Sequence, residues 1–225
     1  MQHTIAIIGG TGAEGFGLAL RFARAGAQVR IGSRDLEKAR SAARRVAELA
    51  GAGETEGRLN PQAVSEAGIV VLTVPLAAQI GILKSVRSSF RSGTVLVDAT
   101  VPLEAAIGGR LGHTLGLWAG SAAQQAARYV PEGVAVTSAF HCLSAEVLAR
   151  IEQAVDSDVL ICGDSAEAKA SVRELVEMIP GARAVDVGPL ENSRYLENMA
   201  ALLISLNLRY KAKGSGVRIT GLGTA

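Results

Sequence analysis

A glycine-rich loop set directly behind a short apolar run limits what this chain can fold into. Thr4-Ile5-Ala6-Ile7-Ile8 is rich in β-branched residues and suits a strand buried on both faces. Gly10-Thr11-Gly12-Ala13-Glu14-Gly15 follows at once and fits the pattern G-x-G-x-x-G. Leu18, Phe22 and Ala25 then recur at helical spacing, and Gly26 ends the helix. The glycine pattern alone is weak, but its place between a strand and a helix gives it weight. Gly10 permits the tight turn, Gly12 lets the backbone approach a pyrophosphate, and Gly15 lets helix and strand pack closely. The pyrophosphate charge would sit against the free N–H groups and positive end of the helix. The competing reading is a glycine-rich turn that binds nothing.

Strand and helix patterns alternate through the first half. Val29-Arg30-Ile31 reads as a strand, and Asp35 to Ala50 as a helix rich in Ala, Arg, Glu and Lys. Residues 54–60 are ambiguous. Pro61 opens a short helix at a position proline favours. Ile69 to Val74 is the clearest strand, ended by Pro75; a helix from Leu76 to Phe90 leads to a further strand, Thr94 to Asp98. This alternation predicts an α/β fold, a Rossmann-type doubly wound parallel sheet.

Residues 108–120 are glycine-rich and loop-like, and Ser121 caps a helix through Tyr129. Strands follow at Gly133 to Phe140, Asp158 to Cys162 and Arg183 to Val187, with a helix between the last two. A long helix, Ser193 to Lys211, and a glycine-broken tail close the chain. At ~150 residues per domain the length fits one large domain or one and a half. The expected division is 1–130 for nucleotide binding and 131–225 for a smaller C-terminal α/β part closing the cleft over a second substrate.

The second strand ends about 20 residues after Gly12, where NAD enzymes carry an acid for the ribose 2′-hydroxyl. Here the residues are Gly32-Ser33-Arg34. Arg34 can face a 2′-phosphate with a planar, permanently charged fork, and Ser33 can donate a hydroxyl. Lys38 adds a positive charge one helical turn on. Asp35 could serve as the ribose acid, but it reads better as the cap of the following helix. The expected cofactor is therefore NADP(H).

Composition excludes other classes. The net charge is +2, and no basic stripe marks a nucleic-acid binder. One Trp, three Tyr and four Phe leave few platforms for stacking bases. The longest apolar runs are about eight residues, against the ~20 of a membrane helix. No basic-then-apolar leader precedes the first strand. Cys142 and Cys162 lie far apart, which argues against a disulfide framework or a metal site and for a reduced cytoplasm.

Together these stretches resemble the NADPH:coenzyme F420 oxidoreductases. The resemblance rests on Ile8-Gly9-Gly10-Thr11-Gly12, Gly32-Ser33-Arg34, Val71-Leu72-Thr73-Val74-Pro75, Ser138-Ala139-Phe140-His141, Cys162-Gly163-Asp164 and Gly188 to Arg194. It runs in order over nearly the whole chain. It implies that Thr11, Gly12, Ala13 and Glu14 touch the pyrophosphate and that Ser33, Arg34 and Lys38 hold the 2′-phosphate. Val74, Pro75 and Val101 would line the nicotinamide side, and His141, Leu143 and Ala145 would lie along the deazaflavin. It further implies a homodimer. The chain departs from the family at Cys142-Leu143-Ser144, at Leu76 and in the longer segment 103–120.

Hydride transfer between two bound cofactors needs position more than side-chain acids or bases. His141 is the exception: at a strand's end it could hydrogen-bond a ring carbonyl or orient the deazaflavin, or it could be a satisfied structural histidine. One rival is an NADPH-dependent reductase of a small carbonyl or imine, which would need a proton donor such as Lys or Tyr. Lys84, Lys169, Lys211 and Lys213 all read as exposed. The other rival is a protein that binds NADPH without turnover.

Overall fold

Ile5–Ile8 form β1, and all four side chains are buried. In the computed structural model, which describes residues 4–222, this strand lies inside an eight-stranded sheet. Its neighbours are β2 (Gln28–Ser33) and β4 (Ile69–Leu72), both parallel to it. Beyond β2 lies β3 (Glu54–Leu59); beyond β4 lie β5 (Val95–Asp98) and β6 (Ala135–Ser138), all parallel. Then β7 (Ser157–Gly163) pairs antiparallel with β6, and β8 (Ala182–Asp186) pairs parallel with β7. The expected doubly wound sheet is therefore present, with a reversal of direction between β6 and β7.

Alternate residues of each strand serve different cores. Ile5, Ile7, Val29, Ile31, Val71 and Val97 pack with Leu18 and Phe22 of α1 (Ala13–Arg24) and Val46 of α2 (Leu36–Ala50). Ala6, Ile8, Val70, Leu72 and Leu96 pack with Val64 of α3 (Asn60–Glu66) and Leu83 of α4 (Leu76–Val86). Two-sided burial explains why these strands read as continuous apolar runs.

The ambiguous residues 54–60 form edge strand β3 and the first residue of α3. Its sequence, ETEGRL, lacks apolar alternation because charge holds it in place. Arg30 of β2 bonds Glu54 and Glu66, and Arg58 bonds Glu66 at 2.9 Å. Gly57 admits no side chain, since a Cβ there would stand 2.6 Å from Ala39 O of α2.

The remaining helices are α5 (Ala122–Ala127), α6 (Ala145–Ala149), α7 (Ala166–Glu177) and α8 (Ser193–Tyr210). After α8 the chain returns along β7. Val217 O accepts from the Asp158 N–H, and the Ile219 N–H donates to the Asp158 carboxylate at 2.7 Å. Arg183 and Arg218 both pair with that buried carboxylate and hold it well below its usual range, to about 2. The reading of Lys169 as exposed needs correction, because its side chain is largely covered and pairs with Asp186 at 2.7 Å.

Candidate functional site

The C-terminal ends of β1, β2, β4, β5 and β6 collect on one rim, and the strand order reverses between β1 and β4. This is where open α/β sheets place ligands. Two cavities open there. A groove of about 210 Å³ runs over Gly9, Thr11, Gly12, Ser33 and Arg34. A cleft of about 660 Å³ adjoins it, and both are lined by Gly12, Thr73, Val74 and Pro75. The two form one continuous track.

The groove begins at the start of α1. Gly12 is the N-cap, in extended backbone, and no side chain caps the helix. The first-turn N–H groups of any helix lack intrahelical partners, so here they face the groove with the positive end of the dipole. Gly10 and Gly15 line neither cavity. A Cβ at Gly15 would come within 2.7 Å of Gly9 O, so this glycine presses the helix onto the loop.

At the far end, Asp35 caps α2 by accepting from the Glu37 and Lys38 N–H groups at 3.0 and 3.1 Å. Its carboxylate is thus engaged by the helix. Ser33 Oγ accepts from the Asp35 N–H at 3.1 Å and keeps its own hydrogen to donate. Arg34 is exposed on the groove and pairs with no carboxylate among the described residues. Lys38 is exposed one turn on, outside the lining. Sequence reasoning did not single out Asn60, which is buried beneath the same groove with its Oδ1 unpartnered.

The cleft brings together Ala13, Glu14, Val74, Pro75, Val101, His141, Leu143 and Ala145. Leu203, Ile204, Asn207 and Ser215 complete its wall from α8 and the returning tail. Leu203 is legible in sequence only as one of the apolar residues at helical spacing on this helix, and the other three carry no local signal, because their place depends on how the last 30 or so residues fold back. Glu14 thus lines the cleft and not the groove.

His141 follows Phe140, whose φ of 72° is left-handed, an uncommon state for a bulky residue. Edge-on packing of Phe140 against Phe22, with ring centroids 6.1 Å apart, holds that conformation. His141 is 8% exposed, and neither ring nitrogen forms a well-aligned hydrogen bond among the described residues, the Thr100 backbone being close enough only to oppose in part the effect of burial on the ring. Burial pushes its pKa down to about 4, so the ring is neutral at pH 7. A buried imidazole with both nitrogens unpaired is costly unless a ligand supplies the partner.

Behind the cleft lies a polar layer. Asp98, fully buried at the end of β5, accepts from Thr100 Oγ1 at 2.6 Å and from Gln79 Nε2 at 2.8 Å. Glu197 of α8 accepts from the Ala122 and Ala123 N–H groups and so caps α5. Burial pushes Asp98 up to about 7 and Glu197 up to about 8. Among the described residues no cluster of His, Cys, Asp or Glu is placed to hold a metal ion. No helix among them is long and apolar enough to cross a membrane.

Comparison with known proteins gives a consistent result. The family model for NADP oxidoreductase, coenzyme F420-dependent, matches residues 4–102. The F420-dependent NADP reductase of Methanothermobacter thermautotrophicus is 49% identical, over 99% of this chain and 97% of that protein. That of Methanocaldococcus jannaschii is 40% identical, over 97% of this chain and 98% of that protein. Among solved structures, a putative F420-dependent NADP reductase from an Arthrobacter species superposes with a TM-score of 0.82 at 23% identity, covering 97% of this chain and all (100%) of that one. A reductive aminase from Aspergillus terreus shares the fold at a TM-score of 0.61 and 16% identity, over 94% of this chain and 63% of that one.

Proposed function

The chain belongs to the F420-dependent NADP oxidoreductases, and from that premise we propose that its groove and cleft hold the two cofactors side by side for direct hydride transfer. It is an oxidoreductase whose cofactors are NADP(H) and coenzyme F420. The continuity of the two cavities across Gly12, Thr73, Val74 and Pro75 carries the reading of how they sit. Such a track brings two rings into one desolvated space, where orientation accounts for most of the rate.

The residues present fit both groups. The first turn of α1 and Thr11 hold the pyrophosphate, and Ser33, Arg34 and Lys38 hold the 2′-phosphate. Val74, Pro75 and Val101 exclude water at the nicotinamide end. His141 offers a neutral ring for hydrogen bonding, and Leu143 and Ala145 supply apolar wall to the deazaflavin. The cofactors themselves supply the hydride chemistry. Among the described residues lining the cleft there is no lysine or tyrosine, the usual proton donors of carbonyl reductases.

We assign residues 1–130 to the nucleotide and 131–225 to the wall of the second pocket. We also place the enzyme in the cytoplasm as a homodimer. Exposed Trp118, Ile107 and Leu111, with Tyr195, Leu202 and Tyr210 of α8, support contact with a second copy. Two buried, unpaired cysteines suit a reducing compartment.

The test mixes protein, NADPH and oxidised deazaflavin and follows loss of the deazaflavin's visible absorbance. No loss above the enzyme-free control, with no reaction in the reverse direction, overturns the proposal. Two variants check the ends of the track. Arg34→Ala is expected to weaken NADPH by about 1.5–3 kcal/mol, the worth of hydrogen bonds to a charged group, and to leave NADH unchanged. Equal losses for both nucleotides in calorimetric titration would remove Arg34 from the phosphate site. His141→Ala is expected to weaken deazaflavin binding about tenfold while NADPH affinity stays within twofold. Unchanged deazaflavin affinity would return His141 to a packing role.

A further inference from the structure

Among the described residues, three titratable side chains belong to the lining of the cleft: Glu14, His141 and Cys142. Burial pushes the His141 ring down to about 4 and the Cys142 thiol up to about 11. Neither exchanges a proton near neutrality. Glu14 differs from both. It stands half-buried on the first turn of α1, between the glycine loop and the cleft.

Its surroundings are unlike those of the other buried carboxyls. Asp98 is held by Thr100 and Gln79, Glu197 by two backbone N–H groups, and Asp158 by Arg183 and Arg218. Glu14, which lines the cleft, takes part in no side-chain hydrogen bond or ion pair among the described residues. A carboxyl on a helix's first turn is normally favoured in its charged form. Here burial, and then the nearby charge of Asp98, outweigh the dipole and push Glu14 up to about 8. Asp98 comes from the end of β5, and Glu197 of α8 lies behind it with Arg194 as its nearest positive influence. His141, from beyond β6, is neutral and adds no charge.

The reaction has a place for such a group. Nicotinamide takes up a hydride alone. A deazaflavin takes up a hydride and a proton, so each turnover must move one proton besides the hydride. We propose that Glu14 is a catalytic residue that exchanges this proton with the deazaflavin. The proposal rests on the reading of the cleft given above.

In the direction that forms NADPH, the hydride leaves carbon of the reduced deazaflavin and forms the new carbon–hydrogen bond of the nicotinamide. Ionised Glu14 takes the proton released as the deazaflavin's nitrogen–hydrogen bond breaks, and an O–H bond forms at its Oε. The carboxylic acid then gives that proton to water. In the opposite direction the acid form donates, and water restores it. One hydride and one proton are thus accounted for, and no further oxidant is needed.

Glu14→Gln and Glu14→Asp test this. In ligand-free protein, carbon NMR of the glutamate side chains is expected to show two carboxyls titrating near pH 8, Glu14 and Glu197, of which one is absent from Glu14→Gln and so belongs to Glu14. Glu14→Gln is expected to slow deazaflavin reduction at pH 7 by about 100-fold, the low end for general acid–base catalysis, with NADPH affinity within twofold. Glu14→Asp should recover part of the rate. For the wild type, NADPH formation should rise through pH 8 and deazaflavin reduction should fall; the variant should lose both steps beyond the cofactors' own titration. If the carboxyl signal lost in Glu14→Gln titrates below pH 6, or if Glu14→Gln keeps the wild-type rate and pH profile, Glu14 has no such role. Wild-type protein that turns over while the variant is unaffected overturns only this proposal. Wild-type protein that does not turn over at all overturns the reading beneath it as well.

Discussion

Gly12→Val is expected to abolish NADPH binding in a protein that still folds, whereas Gly15→Val is expected to cost the fold itself. The two glycines belong to one motif but face different neighbours. At Gly12 φ is −82°, which any residue adopts, and an added Cβ would meet only Gly9 O, at 3.3 Å. The rest of a valine side chain would extend into the groove and occupy the pyrophosphate's approach. At Gly15 the Cβ would come 2.7 Å from Gly9 O and 2.9 Å from Gly10 Cα, and it would strike the Thr73 side chain. Backbone on two sides cannot yield, so helix and loop must separate, an overpacking cost of about 1–3 kcal/mol or more. Thermal melts with and without NADPH separate the cases. A ligand at one hundred times its Kd stabilises by about 2.7 kcal/mol, and Gly12→Val should lose that rise while melting like wild type without ligand. A preserved rise in Gly12→Val would move the nucleotide elsewhere.

The same loop shows what was legible in sequence. β1, the glycine turn and α1 are local: apolar run, turn chemistry and helical spacing all act within about 20 residues. Asp35 as a cap was readable for the same reason, since its partners lie two and three residues on. β3 was not legible, because Glu54, Glu56 and Arg58 mark it as polar while Arg30 and Glu66, distant in sequence, bind it to the sheet. The cleft divides likewise. Ser33 and Arg34 could be placed by their offset from Gly12. Glu14 was read with the pyrophosphate because its neighbours Asp98 and His141 come from β5 and beyond β6. On α8, Leu196, Leu202, Leu203 and Leu206 recur at helical spacing, but spacing alone does not say which face they serve. Leu196 and Leu203 are buried, while Leu202 is exposed.

Arg21 is the other residue whose loss should be felt most, and its effect should reach the second pocket. It stands on α1, three residues after Leu18 and one before Phe22, on the stripe that faces the core, and is 2% exposed. Its guanidinium donates to Leu148 O at 2.9 Å and to the carbonyls of Val147, Arg150 and Gln153 at 2.8 Å each. These carbonyls end α6 and the turn after it, where a positive charge is favoured; Val147 O and Arg150 O also accept from the Arg150 and Gln153 N–H groups, whereas the Leu148 and Gln153 carbonyls have no backbone donor among the described residues. The start of that helix, Ala145, lies in the cleft wall beside Leu143 and Ser144. Arg21 therefore ties the nucleotide-binding helix to the segment that forms the second pocket. Arg21→Met keeps most of the stem's volume but leaves the buried Leu148 carbonyl and the Gln153 carbonyl without a donor and removes the charge that four carbonyls share. The expected loss is about 3 kcal/mol or more, read as a lower urea midpoint at unchanged slope. At temperatures where the variant remains folded, deazaflavin affinity should fall further than NADPH affinity, because the loosened segment touches the cleft and not the groove. An unchanged urea midpoint would mean that water replaces the guanidinium without cost. Equal losses of both affinities would mean that Arg21 supports α1 rather than the wall of the second pocket.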